Sequence, residues 1–153
     1  EKSVDSFFNP SKKLMHVGRL DKDSEGLMLM TSDGRIIDKL LNPEHEHEKE
    51  YVVKVDKEIK ESFENKMSKG VRIEDYMTKP CTVKVTGDRT FKIILTEGKK
   101  HQIRRMCVAL GYQIKDLKRT RIMNLRLGGL FPGQSRALHM EEKVELLKSV
   151  GLM

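Results

Sequence analysis

Hydrophobic and polar positions alternate with a period of two through the middle of the chain. Val83 and Val85 share one face of segment 82–86, and segment 91–95 alternates in the same way. Successive side chains of a β-strand point to opposite faces, so both segments are predicted to be strands, with a hairpin turn at 87–88. Further short runs rich in β-branched or apolar residues predict strands at 27–30, 51–55, 71–73, 112–117 and 122–127.

Other segments repeat their hydrophobic positions every three to four residues, which is typical of helices. The turn and N-cap residues at 31–34 favour a helix that runs to Leu41. Apolar residues spaced by four across 59–67 predict a second helix that Gly70 stops, and 144–150 belongs to a last amphipathic helix. Together the elements predict an α+β fold, with helices packed on a mixed, mainly antiparallel sheet.

The clearest helical pattern lies between residues 103 and 110. Apolar side chains recur there at i, i+3, i+4 and i+7, the spacing of one buried face, and Gly111 ends the helix. At about 100° per residue, the basic side chains of this segment fall opposite that face. The sequence therefore predicts a helix with a core side and a cationic side, formed by His101, Arg104 and Arg105, that could bind a phosphate or a carboxylate.

Composition narrows the possible partners. The chain has 153 residues, a length that suits one domain, 1–153. Charged residues make up 35% against an ordinary value of about 25%, and the net charge is +7. This excess favours nucleic acid over an acidic protein as partner. The sequence contains no apolar run of about 18 residues and no signal-peptide pattern, so no membrane contact is expected and a cytoplasmic location is predicted.

Cys81 and Cys107 lie far apart without metal-ligand spacing, so both are expected to be reduced thiols in the core. His45 and His47 alternate with acidic residues, a pattern that favours a solvated loop over a metal site.

The stretch GRLDKDSEGLML at 18–29 places Asp21 between a turn and an apolar strand, at the rim of a core. Its acidic residues match the first positions of a calcium-binding loop, but Ser32 stands where that loop needs a bidentate carboxylate. Calcium is therefore not expected. For this segment alone, a solvated charged turn remains the alternative.

Three further blocks follow this one along the chain: KEY at 49–51, EGKKHQIRRM at 97–106 and LKRTRIMNLRLGGL at 117–130. In this combination and order the chain resembles the RsuA-like family of ribosomal RNA pseudouridine synthases, and its last block is most similar to the branch that modifies large-subunit ribosomal RNA. The resemblance implies a mixed, largely antiparallel sheet with a central cleft.

The resemblance also implies roles for single residues. Asp21 would be the catalytic aspartate, acting as a nucleophile or as a base toward the sugar; Tyr51 would stack on the flipped uracil, and Arg104 would pair with Asp21. An arginine beside a carboxylate favours its ionised form. The reaction detaches uracil and rejoins it through carbon five, so neither a cofactor nor a metal is expected.

RNA contacts are predicted for a set of polar side chains that as single residues could be ordinary solvated charges. The partner would be large-subunit ribosomal RNA, with transfer RNA as a further candidate, and a monomer is expected. The predicted RNA-contacting residues are Arg19, His101, Gln102, Arg105, Arg119 and Arg121.

Members of this family usually begin with a small S4-type RNA-binding domain, and nothing similar precedes Ser11. The chain is therefore expected to start inside the catalytic domain. Two other functions stay open at this point. One is a noncatalytic RNA-binding or ribosome-assembly module with the same fold, and the other is a metal-dependent nuclease that uses Asp21, Asp23 and Glu25.

Overall fold

The computed structural model describes residues 14–17, 20, 24–41 and 46–153. Strands and helices alternate irregularly along these residues, and most connections are short. The elements, in chain order, are β1 (Met15–Val17), β2 (Glu25–Gly26), β3 (Leu29–Thr31), α1 (Gly34–Leu41), β4 (Lys49–Val55), α2 (Phe63–Ser68), β5 (Arg72–Ile73), β6 (Tyr76–Met77), β7 (Thr82–Gly87), β8 (Thr90–Leu95), α3 (Gln102–Ala109), β9 (Ile114–Ile122), β10 (Leu125–Arg126) and α4 (Met140–Ser149).

The main sheet has six strands, and β4 lies at its centre between β8 and β9. Both neighbours run antiparallel to β4, β7 extends the sheet beyond β8, and β10 folds back on β9. Strand β2 pairs with β9 in the parallel direction, which makes the sheet mixed. The pairs β1–β3 and β5–β6 form two small antiparallel sheets. The predicted α+β class with a mixed, mainly antiparallel sheet is confirmed.

Several predicted elements appear where the pattern placed them. The hairpin of β7 and β8 is present, and α1 begins at Gly34, where the carboxylate of Asp33 accepts a hydrogen bond from the backbone N–H of Arg35 at 3.0 Å. The helix predicted across 59–67 is shorter, because α2 begins only at Phe63. The backbone before it forms a turn whose Lys60 N–H donates to the hydroxyl of Tyr112.

The two strands predicted at 112–117 and 122–127 are present, but the predicted bounds were wrong. A single strand of nine residues, β9, spans 114–122, and only Leu125 and Arg126 form the following strand. The basic stretch 118–121 looks like a break because its residues are polar. In the structure, however, Arg119 is only 4% exposed, so the strand continues through a buried charged residue.

Two hydrophobic cores stabilise the fold. Core one packs α2 and α3 against the central strands, and core two packs α1 and α4 near β1 and β3. Core one contains Val53, Val55, Phe63, Met67, Val71, Ile73, Val83, Phe91, Ile93, Leu95, Ile103, Met106, Cys107, Tyr112 and Leu117. Core two contains Val17, Leu29, Ile36, Leu40, Ile122, Leu125, Leu146 and Val150.

Candidate active site

A cleft of about 300 Å³ lies where the two cores meet. Leu29 and Leu40 of core two line it together with Leu95 and Ile103 of core one. Pockets that bind small organic groups are concave, mainly apolar and carry a few convergent polar groups. The polar groups of this cleft come from the first half of β4, the middle of β9, the 96–100 loop and the N-terminal half of α3, with Ser24 and His47 beside them.

Two of the three predicted catalytic residues line this cleft. Tyr51 reaches it from β4 and Arg104 from α3, although 53 positions separate them in the sequence (104 − 51). Asp21 lies outside the described residues, as does Arg19. The described residues on either side of segment 21–23 are Leu20 and Ser24, and both line the cleft.

A β-bulge decides which basic side chains of β9 face the cleft. Along β4, Tyr51 pairs with Arg119 whereas Glu50 pairs with Arg121, so Thr120 is an extra residue on β9. Residues paired across neighbouring strands share a face of the sheet. Arg119 therefore shares the cleft face with Tyr51, and Arg121 lies on the opposite face with Glu50.

Arg119 connects β9 to the segment that follows the GRLD motif. Its Nε donates to the carbonyl of Leu27 at 2.9 Å, and its own carbonyl accepts the N–H of Leu27 at 2.8 Å. Gly26 makes this approach possible, because it has φ +124° and a Cβ there would lie 2.3 Å from the carbonyl oxygen of Arg119. The side chain that was predicted to contact phosphate thus holds the loop against the sheet.

The remaining predicted RNA-contacting arginines are paired with acidic side chains. Arg121 is 13% exposed and lies 3.1 Å from Glu48, and its guanidinium also donates to the carbonyl of Met123. Arg105 lies 3.3 Å from Glu74. Because Arg119 and Arg121 lie on opposite faces of the sheet, the structure does not bring the three arginines together on one surface.

Glu97 is a buried residue of the site that the sequence reasoning missed. Its carboxylate accepts hydrogen bonds from the Tyr76 hydroxyl, from the Lys79 N–H at 2.7 Å and from Gln102 Nε2 at 3.1 Å. These bonds join the β5–β6 hairpin to the start of α3. The hydrogen bond from Tyr76 to this carboxylate is the chief cause that raises the pKa of the Tyr76 phenol. Glu97 is the first residue of the EGKKHQIRRM block, but the charged residues around it predict an exposed loop.

The two other residues predicted to contact RNA, His101 and Gln102, lie at the start of α3. Gln102 is only 3% exposed, and its amide oxygen accepts the N–H of Lys99 while its nitrogen donates to Glu97. Gln102 thereby holds the 97–102 loop in place. His101 precedes it with φ 53° and is exposed to solvent.

Lys49, which the sequence analysis left without a role, also lines the cleft. Burial lowers the pKa of its ammonium, and the nearby positive charge of Arg119 lowers it further. No carboxylate of the described residues forms an ion pair with Lys49. The described residues that line the cleft therefore carry an excess of positive charge.

Cys81, Cys107 and His47, which were also considered from the sequence, lie outside the centre of the site or at its edge. Burial raises the pKa of Cys107 to about 12 and that of Cys81 to about 11, as expected for thiols in or beside a core. His47 was expected in a solvated loop, but it is half-buried and its Nε2 lies 3.0 Å from the carbonyl of Lys39. His45 lies outside the described residues.

Within the described ranges, no three histidine, cysteine, aspartate or glutamate side chains come together as a group that could hold a metal ion. Asp21 and Asp23, two of the three carboxylates considered for a nuclease, lie outside those ranges. Among the helices of the described part of the chain, none has the length and apolar character needed to cross a bilayer.

Comparison with known proteins shows the family of this chain. A family model described as RNA pseudouridylate synthase matches residues 2–109. The chain is 45% identical over 148 residues to the dual-specificity RNA pseudouridine synthase RluF of Escherichia coli K12, covering 97% of this chain and 51% of that protein. It is 42% identical to an uncharacterized RNA pseudouridine synthase of Aquifex aeolicus, covering 92% of this chain and 59% of the relative. The chain thus spans about half the length of the curated relatives it matches.

Solved structures show the same fold. A crystal structure of a pseudouridylate synthase superposes with a TM-score of 0.89 at 32% identity, covering 94% of this chain and 65% of that one. An archaeal box H/ACA sRNP Nop10–Cbf5 complex matches with a TM-score of 0.56 at 21% identity, which indicates a shared fold alone.

Proposed function

The chain belongs to the RNA pseudouridylate synthase family, and on that premise we propose that it is the catalytic domain of an enzyme that converts uridine in RNA to pseudouridine. One observation carries the proposal. Tyr51, Arg104 and the two described neighbours of segment 21–23 all line a single cleft at the junction of the two cores. A cleft of about 300 Å³ has room for one extruded pyrimidine.

In this proposal the target nucleotide leaves its stack, and the uracil enters the cleft against the ring of Tyr51. Unstacking costs a few kcal/mol, which aromatic stacking and phosphate contacts offset. Asp21 acts on the sugar, as nucleophile or as base, while Arg104 keeps its carboxylate ionised. The bond between C1′ and N1 breaks, the uracil turns, and a bond between C1′ and C5 forms, so substrate and product are isomers.

We further propose ribosomal RNA of the large subunit as the substrate, with transfer RNA as a second class. The dual specificity in the name of the Escherichia coli relative and the net charge of +7 support this choice. The proposal includes a monomeric enzyme in the cytoplasm. Exposed His101 and half-buried Arg105 lie at the cationic side of α3, where a phosphate backbone can approach.

The test is the formation of pseudouridine in ribosomal RNA transcripts by the chain and by Asp21→Asn. The variant keeps the size of the side chain but loses its charge, so turnover should fall about 100- to 10,000-fold while RNA affinity is retained. Asp23→Asn, two residues away, is the matched control and should retain activity. Turnover by Asp21→Asn at the wild-type rate would remove the catalytic assignment. A wild-type chain that binds RNA without turnover would favour the noncatalytic module instead.

A further inference from the structure

The cleft contains a lysine, Lys49, whose position in the sheet lets its ammonium reach a ring that stacks on Tyr51. Lys49 is the first residue of β4 and shares a face with Tyr51, two positions along the strand. Two residues of a strand span about 7 Å, so an extended lysine side chain reaches the edge of a ring that stacks on Tyr51. Both side chains line the same cleft.

The neighbours of Lys49 in the sheet are apolar. It pairs with Leu95 on β8 and with Ile122 on β9, and both of these residues are buried. An ammonium group that is partly withdrawn from water interacts with an opposite charge more strongly than it would in bulk solvent. The ammonium therefore favours a negative charge in the cleft.

The carboxylates of the described residues nearest to it in the sequence and in the cleft are engaged elsewhere. Glu50 lies on the opposite face of β4, where its oxygens approach Arg121 and Arg126 and accept the hydroxyl of Thr120. Glu97 lines the cleft, but its two oxygens accept three donors from the hairpin and from α3. Among the described residues, the charged group that shifts the pKa of Lys49 is Arg119, a second cation.

We propose that Lys49 is a catalytic residue whose ammonium binds a carbonyl oxygen of the stacked uracil and stabilises the negative charge of the ring while it is detached from the sugar. The inference rests on the proposed function. When the C1′–N1 bond breaks, its electron pair leaves with the uracil and spreads over N1 and the two carbonyl oxygens. After the ring turns, C5 supplies the pair for the new bond to C1′, the C5 proton is released to a base, and N1 gains a proton. Lys49 keeps its own protons throughout.

The experiment compares three variants of the chain in single-turnover reactions with a ribosomal RNA transcript. Lys49→Met keeps the length of the side chain without its charge, and its rate at saturating RNA should fall about 100- to 1,000-fold, the loss expected for one donor at a developing anion, while KM stays near the wild-type value. Lys49→Arg should recover part of the rate. Lys54→Met, an exposed lysine of the same strand, is the matched control and should behave as wild type.

A second arm replaces the target uridine by 5-fluorouridine and follows its consumption. Fluorine withdraws electrons and stabilises the detached ring, so the Lys49→Met loss should be smaller with this substrate than with uridine. An equal loss on both substrates, a change confined to KM, or an unchanged rate would each overturn the role of Lys49. Should Lys49→Met fail to fold, as judged by thermal unfolding, Lys49→Gln takes its place in both arms.

The wild-type reaction separates the two proposals. If the wild-type chain forms no pseudouridine on any transcript, the proposed function fails and the role of Lys49 falls with it. If the wild type is active and Lys49→Met is equally active, only the role of Lys49 is overturned.

Discussion

Core one and core two meet at the same cleft, but the chain builds them in different ways. Every buried residue of core one comes from the continuous segment 53–117, whereas core two joins residues 17–40 to residues 122–150. The side of the cleft that carries Tyr51 and Arg104 is therefore built from the same continuous segment of the chain as core one. The side that carries Leu20 and Ser24 depends on contacts between distant parts of the chain.

On each side of the cleft, a buried charged residue connects neighbouring elements. Glu97 joins a hairpin to α3 over core one, and Arg119 joins the segment after the GRLD motif to β9 beside core two. Both side chains face the cleft. A buried charge is tolerated only when hydrogen bonds satisfy it, so each of these residues fixes the direction in which its partners approach. The comparison suggests that core one acts as the scaffold and that core two closes the site.

The largest expected effect tests core one as the scaffold. Phe91 is fully buried, and its ring centroid lies 4.8 Å from that of Phe63. Phe91→Ala should lower the free energy of unfolding by about 3–5 kcal/mol, because it removes buried area and leaves a cavity. Leu146→Ala in core two should cost about 2–4 kcal/mol. Chemical denaturation of both variants gives the two values.

Hydrogen exchange of the same two variants sharpens this comparison. Leu146→Ala should accelerate exchange in α1 and β3 more than in β7 and β8, whereas Phe91→Ala should accelerate exchange throughout. A uniform change in both variants would show that the two cores unfold as one unit.

A smaller effect is expected where core two depends on a close backbone approach. A Cβ at Gly26 would lie 2.3 Å from the carbonyl oxygen of Arg119, and φ +124° disfavours any other residue. Gly26→Ala should cost about 3 kcal/mol, and because it displaces β2 from β9 it should reduce turnover about 100-fold. Gly34→Ala is the control, since a Cβ there would meet nothing within 4 Å. Full activity of Gly26→Ala would mean that the loop does not need this contact.

The two sides also differ in how far the sequence predicts them. Core one follows from alternation at Val83 and Val85 and from the helical spacing of α3, because each of these patterns lies within a single element. The parallel pairing of β2 with β9 involves residues 26 and 119 and leaves no periodic signal of its own. The burial of Arg119 was not predicted either, because a basic residue in a basic stretch is most often exposed.

Prediction of the site was similarly uneven. The family resemblance predicted both Tyr51 and Arg104 as site residues, and both line one cleft although they lie on different elements. It gave no role to Glu97 or to Lys49, because the roles of these residues depend on their neighbours in the fold. The strand register pairs Lys49 with two apolar residues. The folding of the β5–β6 hairpin brings Tyr76 to Glu97. Such neighbours are known only once the register is known.

The smallest expected effect tests the hydrogen-bond centre at Glu97. Glu97→Gln keeps the shape of the side chain but removes its charge. One oxygen of Glu97 accepts from both Lys79 and Gln102 and the other from Tyr76, so an amide that keeps the first two bonds places its NH2 group at Tyr76. The bond from the phenol to a carboxylate is then replaced by a weaker bond between neutral groups. The expected cost is about 1.5 kcal/mol in the free energy of unfolding. The variant should also displace α3 slightly and reduce turnover less than Gly26→Ala does.

A titration of the Tyr76 phenol shows whether the carboxylate is responsible. The hydrogen bond to Glu97 raises the pKa of Tyr76 above its ordinary value near 10. A raised pKa in the folded state favours the protonated phenol, so its contribution to stability is present below pH 10 and is lost as the pH rises through the folded value. Near-ultraviolet absorbance should show that Glu97→Gln returns this pKa toward 10, with Tyr76→Phe identifying the signal. An unchanged titration in Glu97→Gln would show that the carboxylate of Glu97 does not hold the Tyr76 hydroxyl.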